Sequence, residues 1–167
     1  MRRVGVGLPL LVVLSACAEE SDRAADELWF FEPGHVDQLD PEAVEIAEDI
    51  FGLELVEQPT PWGSVTIFPF DRDAFEGGAE PEYDIGGQGA AGRCSPWLWY
   101  VTDVPEVLAH ELGHAYGLEH VDTPCNIMAP TLSCDTSELF ITPAQLRTVR
   151  EQSWYDQHVC TSLSPSP

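Results

Sequence analysis

The chain contains no lysine, so its seven basic residues are all arginine, set against 29 Asp and Glu for a formal net charge of -22 over 167 residues. A field of that sign repels phosphate backbones and anionic lipid surfaces, and no nucleic-acid partner is expected. No CxxC pair occurs, which argues against a four-thiolate zinc site. Internal repeats are missing too. With 44% hydrophobic and 22% charged residues, the composition excludes disorder, collagen-like repeats and coiled coil, and the length suits one domain.

Two of the arginines, Arg2 and Arg3, precede an apolar run from Val4 to Leu14 that is too short to span a bilayer. The run ends in Leu14-Ser15-Ala16-Cys17, which resembles a bacterial lipobox. The expectation is a lipoprotein signal peptide over residues 1–16, Cys17 as the lipidated first residue, and an acidic tether over 17–27. The alternative is an ordinary small-residue cleavage site with an incidental cysteine. Either way the chain is expected to be exported, and the lipobox anchors it to the cell envelope, at the outer membrane or cell surface. In an oxidising compartment Cys94, Cys125, Cys134 and Cys160 form two disulfides by default, with three possible connectivities. Cys125 with Cys134 would close a short loop, and Cys94 with Cys160 would tie the C-terminal segment to the middle of the chain; this pairing is favoured.

The domain is expected over 28–160, with 161–167 a disordered tail rich in Ser and Pro. Strands are predicted at Leu28–Phe31, Leu53–Glu57, Val65–Phe70, near 84–88, and at Trp97–Thr102. Asp40-Pro41-Glu42 supplies a cap and a proline start for a helix to Phe51, with Val44, Ala47 and Ile50 on one face and Gly52 as its stop. A second helix is predicted over 105–116. A third opens at Thr142-Pro143-Ala144-Gln145 and runs toward Trp154. The alternating Trp97 and Trp99 read as core and sheet packing, with a carbohydrate platform as the other reading.

The chemistry is concentrated between His110 and His120, where three of the five histidines fall in the pattern HExxHxxGxxH. At background frequencies of roughly 2–3% for His and about 5–10% for Glu and Gly, a chance match is on the order of one in ten thousand or rarer. Residues four apart lie one helical turn above each other, so His110 and His114 can aim imidazoles at a single ion. Glu111 is displaced around the helix and can reach a metal-activated water instead. Gly117 allows a positive φ, letting the chain leave the helix so that His120 returns as a third ligand. Three protein ligands leave an open position, the mark of a catalytic zinc.

These residues resemble the metzincin clan of zinc endopeptidases. Asn126-Ile127-Met128-Ala129-Pro130, with its methionine eight residues after His120, is similar to the clan's methionine turn and most like the matrixin branch. The Gly-rich segment Ile85–Ala90 lies where matrixins lead into an antiparallel edge strand. The resemblance implies an α+β, α/β-type sandwich: a twisted, mostly parallel sheet with an antiparallel edge strand, an active-site helix carrying HExxH, a methionine turn and a C-terminal helix. Matrixins usually carry Ser after the third histidine, where this chain has Val121. Arg93-Cys94 has a superficial likeness to their inhibitory cysteine, but the disulfide reading is preferred.

The function implied is that of an exported, lipid-anchored zinc endopeptidase. One catalytic Zn2+ would be held by His110, His114 and His120, with Glu111 as general base and acid and Met128 as an apolar floor. An extended peptide or protein is the expected substrate, pairing with the sheet edge, and the protein is expected to be a monomer. Tyr116 reads either as core or as an oxyanion stabiliser. Ca2+ at Asp71, Asp73 and Glu76 lacks the full ligand spacing of a calcium loop. The alternatives are a catalytically inactive, metal-dependent binding lipoprotein on the cell envelope and a structural surface lipoprotein.

Overall fold

The computed structural model describes residues 24–33, 39–70, 87–91, 94–101 and 104–163. The expected signal segment, Cys17 and the first part of the expected tether, the Asp71–Asp73–Glu76 group, Ile85, Arg93 and residues 164–167 lie outside the described residues.

Five strands, β1 (Glu27–Phe31), β2 (Glu54–Glu57), β3 (Val65–Phe70), β4 (Gly87–Ala90) and β5 (Trp97–Val101), form one sheet in the order β2-β1-β3-β5-β4. Every neighbouring pair is parallel except β4 against β5, which puts an antiparallel strand at the edge. Period-2 alternation decides the faces. Leu28, Phe30, Leu55, Val65, Ile67, Leu98 and Tyr100 are buried on the face covered by α1 (Pro41–Phe51) and α2 (Glu106–Ala115). Pro69 offers no donor, and it sits where β3 has run past its last pair with β1, Phe31 with Thr66.

Asp40 caps α1 by accepting from the Glu42 amide, and Gly52 ends it in the left-handed region. Its fully buried seam is Ala43, Ala47 and Phe51, with Val44 and Ile50 only partly covered. The stripe read from Val44, Ala47 and Ile50 is therefore rotated toward Ala43, because small side chains let α1 approach α2 closely. Trp97 and Trp99 alternate with the buried Leu98 and Tyr100, so they lie on the opposite face of the sheet, and Trp97 is 38% exposed. They are sheet-surface residues and not part of the core.

The ordered chain extends past both expected boundaries. Ala25 is buried and its amide donates to the Arg150 carbonyl at 3.1 Å, and β1 already includes Glu27, so the folded domain begins inside the segment 17–27 expected as a tether. At the other end α3 (Pro143–Tyr155) continues into a π-helical turn, Asp156–Cys160, and a 3-10 turn, Thr161–Leu163. The tail expected from 161 thus begins with a folded turn. The disulfide Cys94–Cys160 ties this end to the middle of the chain, and Cys125–Cys134 closes a loop ahead of α3. Among the described residues no helix is long and apolar enough to cross a membrane.

Candidate metal centre

Helix α2 is the central element of the site. Val107 through Gly113 are all buried, which places the helix between α1 and the β4–β5 end of the sheet. That depth needs glycine opposite it. A Cβ on Gly87 would stand 2.6 Å from the Glu111 Cγ, and one on Gly89 would collide with the Glu111 carbonyl oxygen and the His114 Cβ. On the other side, a Cβ on Gly113 would strike the Met128 sulfur. Met128 is itself fully buried, so the methionine turn packs directly under the histidine-bearing turn of α2.

The helix ends as its sequence demands. Gly117 has φ +85°, and the Leu118 amide reaches back to the Gly113 carbonyl at 2.9 Å, a Schellman-type closure. The turn does two things. It sends the chain back so that His120 faces α2, and it brings the Leu118 carbonyl to 2.8 Å from His114 Nδ1.

The three histidines expected as ligands are brought together. Their Nε2 atoms stand 3.1 Å apart for His110–His114 and His114–His120, and 3.2 Å for His110–His120. Backbone carbonyls accept but never donate, so His110 Nδ1 must carry the proton it shares with the Ile127 carbonyl at 2.6 Å, as His114 Nδ1 does with Leu118. In the neutral tautomers this requires, the His110 and His114 Nε2 atoms face each other as bare lone pairs. Burial pushes His110 down to about 4 and lowers His114 as well, which keeps both neutral. Lone pairs converging in this way suit a cation. A tetrahedral zinc with Zn–N bonds of about 2.0–2.1 Å needs nitrogens about 3.3–3.4 Å apart, close to the spacing present. His110, His114 and His120 can hold one metal ion.

Glu111 lies next to this cluster without joining it. It is 4% exposed, and burial pushes its carboxyl up to about 7 while the Gly89 amide, donating to it, draws it back. Its Oε2 is buried with no hydrogen-bond partner among the described residues. A poised carboxylate with one free oxygen beside a three-nitrogen cluster is suited to taking and returning a proton.

Tyr116 is 2% exposed and bonded to the Ser153 side chain, so it belongs to the core, where burial raises its phenol. Cys125, Cys134 and Glu138 also cluster, but both cysteines are oxidised in the disulfide. Several contributors had roles that could not be read from the sequence: the Ile127 and Leu118 carbonyls, Gly87 and Gly89, and the side chains of Asn126 and Gln145. Gly87 and Gly89 stood out only as part of a Gly-rich segment, Asn126 as the first residue of the methionine turn, and Gln145 as the third residue of a capping box that the structure contains. A family model described as matrixin matches residues 25–151.

Proposed function

The chain belongs to the matrixin family of metallopeptidases, and on that premise we propose that it is a zinc-dependent endopeptidase cleaving extended peptides or unfolded proteins. The observation that carries this reading is the convergence of three Nε2 atoms within 3.2 Å of one another beside a buried glutamate with an oxygen that has no partner among the described residues. His110, His114 and His120 would hold the ion, which when bound polarises the scissile carbonyl and acidifies water. Glu111 accepts the proton from the attacking water and returns it to the leaving amine, a role that needs a carboxylate near neutrality and shielded from competing donors. Gly89 orients that carboxylate through its amide. Strand β4 ends the sheet order and lies against α2, so a substrate strand added at that edge passes Glu111.

Chelator treatment and Glu111→Ala are each expected to abolish cleavage of an unfolded protein, with the fold and, in the variant, stoichiometric zinc retained. Zinc binding without any turnover by the unmodified chain would leave the metal-dependent binding protein as the correct reading. Export and lipid anchoring at Cys17 rest on the Arg2–Cys17 pattern. Loss of labelled fatty acid in Cys17→Ser tests the anchor, and an unlabelled wild type refutes it; a wild type found only in the cytoplasmic fraction refutes export.

A further inference from the structure

The methionine turn is joined to α3 by a pair of side-chain amides. Asn126 Nδ2 donates to Gln145 Oε1 at 2.9 Å, and Gln145 Nε2 donates back to Asn126 Oδ1 at 3.2 Å. Asn126 is 1% exposed, and its Oδ1 also accepts the Met128 amide at 2.9 Å. That amide and the Ile127 carbonyl belong to the same planar peptide unit. Holding the N–H on one side therefore aims the C=O on the other, and that C=O is the acceptor for His110 Nδ1 at 2.6 Å. The Ile127 amide, bonded to the Phe140 carbonyl at 2.8 Å, restrains the turn from its N-terminal side.

We infer that Gln145 is a positioning residue for the metal centre, acting through Asn126 and the Ile127–Met128 peptide on the orientation of His110. Its Oε1 also accepts from the Thr142 amide at 3.0 Å, as a capping box requires, and from the Thr142 hydroxyl at 2.9 Å. A purely structural role would end there, with Gln145 starting α3 and nothing more. The reciprocal bonds to Asn126 go further, because they fix which way each amide faces and so keep Asn126 Oδ1 toward Met128. Groups that orient a ligating histidine typically change metal affinity by about 10–100-fold when removed.

The inference rests on the reading that the three histidines hold zinc, and the two fail separately. The test measures the zinc Kd of the purified full-length chain by competition with a chromophoric chelator, beside the urea midpoint of the zinc-free form. Gln145→Ala is expected to raise Kd about 10-fold or more. Thr142→Ala, which weakens the cap but leaves the amide pair, is expected to lower the urea midpoint with Kd within about two-fold of wild type. Equal shifts of Kd in both variants, or none in Gln145→Ala, overturn the inference and leave the zinc reading standing; a wild type that binds no zinc overturns both. If Gln145→Ala does not fold, Gln145→Glu replaces it. That variant keeps the acceptor for Thr142 and Asn126 but sets a carboxylate oxygen, which cannot donate, against Asn126 Oδ1, so a Kd raised several-fold supports the inference and an unchanged Kd overturns it.

Discussion

His110 Nδ1 lies 2.6 Å from the carbonyl oxygen of Ile127, a residue seventeen positions along the chain and immediately before Met128. One hydrogen bond thus fixes the tautomer of the first histidine of the motif and joins α2 to the methionine turn. Beneath it, the missing side chain of Gly113 makes room for the Met128 sulfur.

The Gly113–Met128 contact predicts a non-additive pair. Gly113→Ala should cost about 1–3 kcal/mol through overpacking, and Met128→Ala about 2–5 kcal/mol through the cavity it leaves. In the double variant the collision is gone, so Gly113→Ala on the Met128→Ala background should be near neutral. Urea unfolding of the four proteins measures the coupling, and simple additivity would rule out direct contact.

Gly89 and Gly52 should respond differently to alanine. At Gly89 the added methyl meets the Glu111 backbone, which cannot swing aside, so β4 or α2 must shift. Turnover is expected to fall about 100-fold, the scale on which a displacement of about 1 Å near the chemistry acts. Gly52 has nothing within 4 Å and only a φ of +58° to strain, so Gly52→Ala should cost about 1 kcal/mol with peptide cleavage unchanged.

Asp156 makes stability depend on pH. Burial raises its carboxyl from 3.8 to about 6, with Gln152 and the Cys94 amide pulling it down, and its Oδ2 has no partner among the described residues. The folded value is the higher one, so this contribution is fully present below about pH 4 and is lost as pH rises through about 6. At about 1.4 kcal/mol per unit, the effect is on the order of 1–3 kcal/mol. Unfolding free energies of zinc-free wild type and Asp156→Asn at pH 4.5 and pH 8 check it. The difference between the two pH values should change by that amount in the variant, and an identical difference would refute the assignment.

The two disulfides should differ in weight. Cys94–Cys160 closes a separation of 66 residues and Cys125–Cys134 one of 9. Loop-closure entropy puts their contributions at about 4 and about 3 kcal/mol. Replacing each pair by alanine and measuring urea unfolding tests the order. The short tie should have the larger effect on zinc affinity, because Cys125 directly precedes Asn126 in the turn that holds His110.

How far the sequence reached follows from the range of each signal. His110, Glu111 and His114 stand on one helix, so their spacing alone specified their relation, and Gly117 announced the turn that returns His120. Caps and prolines marked the starts of α1 and α3 for the same local reason: each acts within one turn of backbone. Alternation along β1 and β5 marked strands but not which face would be covered; Leu98 and Tyr100 turn toward α2, which leaves Trp97 and Trp99 on the other face. The rotated seam of α1, the π-helical extension held by Cys160, and the amide pair between Asn126 and Gln145 likewise depend on partners far along the chain. By itself the sequence determined the candidate metal-ligand set and the elements that carry it. Tertiary structure alone decided what orients that set, because carbonyl aim, glycine clearance and side-chain pairing exist only once distant segments have closed on each other.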